Sequence, residues 1–275
     1  EQEKHSIFIR ERYEHRVLEN VDLVGSTSKL VRDDLQRAHG RDWTEKLIDV
    51  YPGVDTERFS PVDRDAMTGQ QARDTAEYLG LPADLFKRPH ICEFGRSDAL
   101  KDKDKAVEAF ALVAKRESEI NMFLNLDESM EPEVARRIRE VIEREQLHDR
   151  IHIFSPRDLP QSGAGSEILP NIMRTARTFL TMSVMEGFGM AACEAAACGI
   201  PVVGTEHIPV VTDVIAPGGG GTVVPGKDIH AAADAVLNYL RMDEETWRAA
   251  AQSAHDSVIP KYTWQQIVSD MFEQI

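Results

Sequence analysis

The 275-residue sequence predicts an α/β fold organised around a doubly wound parallel sheet, and three observations support this. After residue 88, short apolar runs of strand length alternate regularly with helical stretches, which is typical of a parallel sheet covered by helices on both faces. At 185–203, a glycine-bearing turn leads into small helix formers and then into a β-branched strand. The chain is also long enough to bury one large core or two smaller ones.

The individual elements follow from these periodicities. Strands are predicted at 89–94, 120–125, 151–154, 178–182, 201–204 and 221–224. Helices are predicted between and after them, at 103–116, 131–146, 166–176, 189–198, 207–215, 229–240 and 246–254. Earlier in the chain, the spacing of apolar residues predicts helices at 7–18, 29–39 and 72–79 and strands at 21–24 and 47–51. Ligands of such a sheet bind beyond the carboxyl ends of its strands.

Composition excludes several classes of function. A formal net charge of -15 argues against non-specific binding to nucleic acids or acidic membranes. No apolar run approaches the roughly 20 residues that a membrane-spanning helix needs, and the first residues do not resemble a signal peptide. The three cysteines are too few for a disulfide framework and lie in apolar surroundings, so we expect buried thiols and a reducing cytoplasm.

Two glutamates bracket the glycine-bearing turn. Residues 185–203 read MEGFGMAACEAAACGIPVV, with Glu186 in the turn and Glu194 eight positions later in the predicted helix. Glycines let the backbone approach a ligand closely, and the amides of a helix beginning near Gly189 suit a phosphate. A carboxylate accepts two hydrogen bonds in one plane, which suits the vicinal diol of a ribose or a sugar ring. This pattern predicts a nucleotide-sugar site, whereas the glutamate pair alone would more simply be solvated.

Basic residues follow the first strand of the array. The strand at 89–94 continues into Gly95 and Arg96, and Lys101 follows five positions after Arg96, just before a helix. Arginine offers a rigid fork to phosphate oxygens and lysine a compact charge, so this pair is predicted to bind an anionic group. The alternative interpretation is a solvated run of alternating lysine and aspartate, which we expect to apply to part of 102–105.

Two further segments are candidate contributors. Arg157 follows the strand at 151–154, and two interpretations stay open, stacking on a base or a purely superficial position. The polar loop at 158–166 is expected to influence the choice of ligand.

These motifs resemble the donor-site signature of the large retaining glycosyltransferase family with the GT-B fold, which includes sucrose-phosphate synthases and bacterial mannosyl- and glucosyltransferases. The resemblance covers the run at 186–201, the Gly-Arg pair with its following lysine, the linker-like phrase at 51–61 and the aromatic phrase at 262–264. The chain departs from the family pattern at 205–209, where many relatives carry a Gly-Gly-Ile-Pro turn.

The resemblance implies a division of the chain and a role for each motif. Residues 1–60 correspond to the last part of the N-terminal, acceptor-side Rossmann-like domain with its linker, and 61–275 correspond to the donor-binding domain. Arg96, Lys101 and Glu186 are the expected catalytic residues, with the two cations on the leaving diphosphate and the carboxylate on the donor sugar. The expected donor-binding residues are Gly95, Arg157, Gly187, Phe188, Gly189, Met190 and Glu194.

The resulting hypothesis is a retaining hexosyltransferase. It would move a hexose from a UDP-, GDP- or ADP-sugar to a hydroxyl of a sugar, a sugar phosphate or another small acceptor, with no metal and no further cofactor. Two alternatives stay open from the sequence. One is a nucleotide-sugar-binding module that is inactive without an acceptor domain, and the other is a nucleotide-sugar epimerase on the same architecture. The oligomeric state is not predicted.

Overall fold

A computed structural model describes residues 2–40, 43–62, 70–82, 84–155, 157, 159 and 167–275. Within these residues, eight strands lie in two parallel sheets. A small sheet pairs β1 (Val24–Ser26) with β2 (Leu47–Asp49). The large sheet contains β3 (His90–Glu93), β4 (Asn121–Asn125), β5 (Ile151–Phe154), β6 (Thr178–Thr181), β7 (Val202–Thr205) and β8 (Gly221–Val224). Its spatial order is β5-β4-β3-β6-β7-β8, so the predicted parallel sheet is confirmed.

Helices cover both faces of the large sheet. One face carries α4 (Lys103–Ala114), α5 (Pro132–Glu145) and α8 (Ile229–Arg241). The other carries α3 (Gln70–Tyr78), α6 (Ile168–Thr175), α7 (Met190–Ala197) and α9 (Glu244–Val258). Two helices, α1 (Gln2–Asn20) and α2 (Lys29–His39), accompany the small sheet, and α10 (Trp264–Glu273) ends the helical part of the chain. The fold is therefore doubly wound, as the sequence predicts.

The strands supply both cores because successive side chains point to opposite faces. In β3, Ile91 belongs to the core under α4 and Cys92 to the core under α7. Adjacent residues of β6 divide in the same way, with Leu180 on the first face and Phe179 on the second. Because the core strands carry apolar side chains on both faces of the sheet, the sequence shows them as continuous apolar runs. The three cysteines are free and buried, as expected.

The last helix returns to the small sheet. The Gln274 side chain accepts a hydrogen bond from the Asp49 N–H at 2.8 Å and donates one to the Asp49 carbonyl at 3.0 Å. Nearby, the N–H of Val54 donates to the Tyr262 carbonyl at 2.7 Å. These bonds fasten β2 and the segment after it to the two ends of α10. Within the described residues, no helix has the length and apolar character needed to cross a bilayer.

Several local expectations need correction. The first strand was predicted at 21–24 but runs over Val24–Ser26, since α1 continues to Asn20. The helix predicted at 207–215 is present over 209–215, but its part at Val211–Ile215 is π-helical. The loop predicted at 158–166 lies, apart from Leu159, outside the described residues.

Candidate functional site

The large sheet has a switch point between β3 and β6. These neighbouring strands send their following helices to opposite faces, α4 to one and α7 to the other. In open α/β sheets, ligands bind in the crevice that borders such a switch point, beyond the carboxyl ends of the strands. Both motifs singled out from the sequence lie in the loops that follow these two strands.

Lys101 and Glu186 meet across this crevice. The Lys101 ammonium lies 2.5 Å from Glu186 Oε1, and the lysine is only 6% exposed. The hydroxyl of Ser183 donates to the same carboxylate oxygen at 3.2 Å. Beside this pair, the Val184 N–H donates to the carbonyl of Leu100 at 2.9 Å and joins the two loops directly. The structure thus brings a predicted cation and a predicted carboxylate together from positions 85 residues apart.

Local turns present the Lys101 side chain. Residues Ala99–Lys101 form a 3-10 turn whose N-cap, Asp98, accepts from the Leu100 N–H at 3.1 Å. Asp102 then adopts a left-handed conformation with φ 42° before α4 begins. This reversal ends the 3-10 turn directly after Lys101 and starts the helix in a new direction. On the other loop, the Thr205 hydroxyl donates to the Ser183 carbonyl and fixes the chain before Glu186.

The turn between Glu186 and α7 needs its second glycine. Gly189 has φ 107°, and a Cβ there would lie 2.5 Å from Cγ2 of Ile208. Helix α7 begins at Met190, and the N–H groups of its first turn have no carbonyl within the helix to bind. The helix N-terminus with its partial positive charge therefore opens next to Glu186, an arrangement suited to an anion.

Phe188 anchors this turn in an aromatic cluster. Its ring centroid lies 5.7 Å from that of Tyr51 and 5.0 Å from that of Tyr262, and the two tyrosine rings are 5.5 Å apart. Phe188 and Tyr262 are buried. The predicted donor-binding role of Phe188 accordingly rests on its backbone, because its side chain belongs to the core.

Glu194 lies in the second turn of α7 and is largely buried. Burial raises the pKa of its carboxyl to about 7, with the Arg58 charge opposing the shift and the Asp55 charge adding to it. Both neighbours belong to the segment that follows β2. A carboxyl in this environment changes its charge near neutral pH, and the charged form is an acceptor for two hydroxyl groups.

Arg96 and Gly95 occupy the start of the β3 loop. The Arg96 side chain is 75% exposed and, among the described residues, pairs with Asp98 at 3.3 Å. The Gly95 N–H donates to Glu93 Oε1 at 3.0 Å, and a Cβ on Gly95 would lie 2.8 Å from that oxygen. The structure gives Arg96 no contact with the Lys101–Glu186 pair. It gives Gly95 a packing reason for lacking a side chain.

Arg157 is held by an aspartate of the neighbouring loop. Its guanidinium lies 2.5 Å from Asp127 Oδ2, and the side chain is 67% exposed. The Ser129 hydroxyl, together with its N–H and the Arg157 charge, holds the pKa of Asp127 below its usual range. The Asp127 N–H in turn donates to the Ser97 hydroxyl at 2.7 Å. Arg157 is therefore tied to the same loop system as Lys101, with its other face open to solvent.

The expectation of a solvated charge run is wrong. Lys101, Lys103 and Asp104 are buried, and Asp102 and Lys105 are half-buried. Lys103 is 0% exposed, and its ammonium contacts Glu93 Oε2 at 2.5 Å. It also donates to the Asn125 carbonyl at 2.8 Å and to the Asn125 side-chain oxygen at 2.7 Å. Burial lowers the pKa of Lys103, and the Glu93 charge opposes that shift.

Sequence reasoning missed the supporting residues of the site. Ser183 and Thr205 are ordinary strand-end residues by sequence, and only their contacts reveal them. A usable signal existed for Glu93, since an acid at the end of an otherwise apolar buried strand requires a partner. Among the described residues, no group of three or more histidine, cysteine or acidic side chains is arranged to hold a metal ion.

Comparison with known proteins identifies the class to which this fold and site belong. The family model described as "Glycosyl transferases group 1" matches residues 86–255, well over half of the chain. The chain belongs to this family, and the predicted resemblance to retaining GT-B glycosyltransferases is confirmed.

Individual relatives refine this picture. The D-inositol 3-phosphate glycosyltransferase of Xylanimonas cellulosilytica is 29% identical over 265 residues, which cover 94% of this chain and 58% of that protein. The mannosylfructose-phosphate synthase of Agrobacterium fabrum is 30% identical over 205 residues, covering 72% of this chain and 41% of the relative. The chain thus spans about half the length of the curated relatives it matches.

Solved structures show the same fold. Sucrose-phosphate synthase from Thermosynechococcus elongatus superposes with a TM-score of 0.75 at 24% identity, over 96% of this chain and 60% of that one. Anabaena Alr3699/HepE in complex with UDP-glucose superposes with a TM-score of 0.72 at 17% identity, over 92% of this chain and 62% of its own. The C-terminal domain of a group 1 glycosyl transferase from Francisella tularensis superposes with a TM-score of 0.60 at 24% identity. The superposition covers 78% of this chain and all of that domain.

Proposed function

We propose that this chain carries the donor site of a retaining hexosyltransferase, which moves a hexose from a nucleoside diphosphate sugar to an acceptor hydroxyl. The observation that carries the proposal is the contact between Lys101 and Glu186 at the switch point. This contact places a buried ammonium and a carboxylate side by side, near the N-terminus of α7. A diphosphate needs cations and amide donors, and a hexose needs a carboxylate acceptor for its hydroxyls.

In this proposal the diphosphate lies between the β3 loop and α7. Lys101 binds it as a compact charge, and Arg96, exposed and paired with Asp98, swings onto it as a bidentate partner. The amides from Gly187 to Met190 supply uncharged donors. Negative charge grows on the diphosphate as the glycosidic bond breaks, so these groups stabilise the transition state more than the ground state.

The remaining parts of the donor have acceptors nearby. Glu186 orients the hexose, and Glu194 accepts from the two ribose hydroxyls once it is ionised. Arg157, paired with Asp127, supports the base at the end of β5. The base can be that of a UDP-, GDP- or ADP-sugar, and a relative of the same fold was crystallised with UDP-glucose. The reaction uses no metal and no further cofactor.

The acceptor side is proposed from relatives. Those named above are a D-inositol 3-phosphate glycosyltransferase and a mannosylfructose-phosphate synthase, so a sugar, a sugar phosphate or a similar polyol is the proposed acceptor class. Residues 1–60 are proposed to be the last part of the acceptor-side domain with its linker, and 61–275 the donor domain. No carboxylate nucleophile is assigned, since the acceptor is proposed to attack from the face of the leaving group. The three free, buried thiols fit a reducing cytoplasm.

Calorimetric titration of the chain tests the proposal. UDP, GDP and ADP and their glucose and mannose esters are titrated in turn, and one base series is expected to bind. Lys101→Ala should abolish that binding. Lys115→Ala is the control and should leave binding unchanged, because Lys115 is an exposed lysine that follows the far end of α4 and pairs with Glu145. Equal effects of the two variants, or no binding by any of the nucleotides, would overturn the proposal.

The products formed separate the alternatives. Transfer to an added acceptor by the complete protein supports the transferase. Conversion of the donor hexose without any acceptor would identify an epimerase. Donor binding without chemistry in the complete protein would identify a binding module.

A further inference from the structure

We propose that Glu93 and Lys103 are positioning residues for donor binding, which hold the loop at 94–102 in the shape that presents Lys101 to a diphosphate. This inference rests on the function proposed above. It concerns a pair of charges that make no contact with the crevice itself and that the donor-site motif does not include.

The pair is completely enclosed. Both side chains are 0% exposed, and the ammonium and carboxylate are 2.5 Å apart. Taking two charges out of water is expensive, and an apolar pair of similar volume is often at least as stabilising. A buried ion pair of this kind is therefore poorly explained by stability alone. What distinguishes it from an apolar pair is directional hydrogen bonding.

Those directional bonds all hold the β3 loop or its ends. Glu93 Oε1 accepts the N–H of Gly95, the second residue after β3. Lys103, the first residue of α4, donates to both oxygens of Asn125 at the end of β4. The pair thus fixes the start of the loop through Gly95 and its end through Lys103. Lys101 lies two residues before that fixed end.

The loop packs against this arrangement without slack. A Cβ on Gly95 would lie 2.8 Å from Glu93 Oε1 and 3.6 Å from Cδ of Lys101, so only a residue without a side chain fits between the carboxylate and the Lys101 stem. A displacement of the carboxylate moves Gly95 and then the Lys101 side chain. Because binding depends on donors being held in position beforehand, a looser loop binds a diphosphate less tightly.

The test uses a double variant, Glu93→Leu with Lys103→Met, which replaces the ion pair by an apolar pair of similar size. The control is Lys115→Met with Glu145→Leu, a pair that joins the other end of α4 to α5 at 2.6 Å. Thermal unfolding and calorimetric affinity are measured for each, with whichever of UDP, GDP and ADP binds the unaltered protein and with the corresponding nucleoside.

The expected result is a double variant that melts at or above the temperature of the unaltered protein and binds the diphosphate about tenfold more weakly. Nucleoside affinity should stay within about twofold, because only the phosphate-dependent part of binding passes through Lys101. The control should leave both affinities unchanged. Equal losses for nucleotide and nucleoside, or an unchanged diphosphate affinity, would overturn the proposal.

A milder variant tests the positioning role if the double variant does not fold. Asn125→Ala leaves the two charges paired and removes one oxygen that Lys103 binds. About a threefold loss of diphosphate affinity at unchanged nucleoside affinity is expected, and no loss would refute the positioning role. If the unaltered protein binds no nucleoside diphosphate at all, the function proposed above fails, and that outcome is distinct from failure of the positioning role.

Discussion

The affinity for a nucleotide sugar should depend on pH through Glu194. The carboxyl of Glu194 has a pKa of about 7 because it is buried. At pH 6 roughly one molecule in eleven would carry the ionised form, so a ligand that requires the carboxylate for two ribose hydroxyls binds about tenfold more weakly at pH 6 than at pH 8. The ligand must be a nucleotide sugar, whose phosphates do not titrate in this range.

The assay is calorimetric titration between pH 5.5 and pH 8.5, in steps of half a unit. The affinity should rise about fivefold between pH 6 and pH 7, about twofold more between pH 7 and pH 8, and then level off. Glu194→Gln should bind weakly at every pH and lose the dependence, whereas Glu206→Gln, another glutamate at the same edge of the sheet, should keep it. An affinity that does not change between pH 6 and pH 8, or an unchanged slope in Glu194→Gln, would refute the assigned role.

The raised pKa of Glu194 should also make the free energy of unfolding depend on pH. A carboxyl whose pKa is raised in the folded state holds a proton that the unfolded chain has released, so its contribution to stability is complete below the unfolded pKa of about 4.3. That contribution is lost as the pH rises through about 7. Urea unfolding should therefore show a free energy of unfolding that falls between those pH values, with a smaller decrease in Glu194→Gln.

Three further predictions concern neighbouring groups. Glu186→Gln should weaken binding of the nucleotide sugar about tenfold, because the neutral side chain accepts hydrogen bonds less strongly than the carboxylate. The same change should strengthen binding of the free nucleoside diphosphate, because it releases Lys101 from its counter-ion. Calorimetry with both ligands checks this, and parallel losses would contradict it. Lys103→Met alone should lower the free energy of unfolding by about 3–5 kcal/mol, since it leaves the Glu93 charge buried without a partner, and urea unfolding measures the loss. Gly189→Ala, with its Cβ 2.5 Å from Ile208 and φ 107°, should cost about 1–3 kcal/mol of stability from backbone strain alone and displace the start of α7; a wild-type melting temperature would count against it.

The sheet was predictable because its signal is local. Each strand of the large sheet is a short apolar run between polar turns, so its position follows from a few neighbouring residues. The predicted strand at 151–154 coincides with Ile151–Phe154, and that at 221–224 with Gly221–Val224. The π-helical turn at Val211–Ile215 was missed, since the sequence pattern there is that of an ordinary helix.

The site was only partly predictable because contacts are not local. The sequence motifs located Lys101 and Glu186 individually, and only the strand order brings them together. The failure at Lys103 has a physical cause. Alternating charges are usually solvated, but a lysine at the first position of a helix that packs under β3 points inward and finds Glu93. Neither residue carries a pattern that reveals the other.

The aromatic cluster around Phe188 links the turn at 186–189 to the rest of the molecule. Tyr51 comes from the segment that leaves the small sheet, and Tyr262 from the chain that enters the last helix, yet both rings touch that of Phe188. A rotation of the small sheet would carry Tyr51 with it and push on the Phe188 ring, whose backbone belongs to the turn before α7. These ring contacts therefore connect the small sheet to the turn at 186–189, which is part of the proposed donor site.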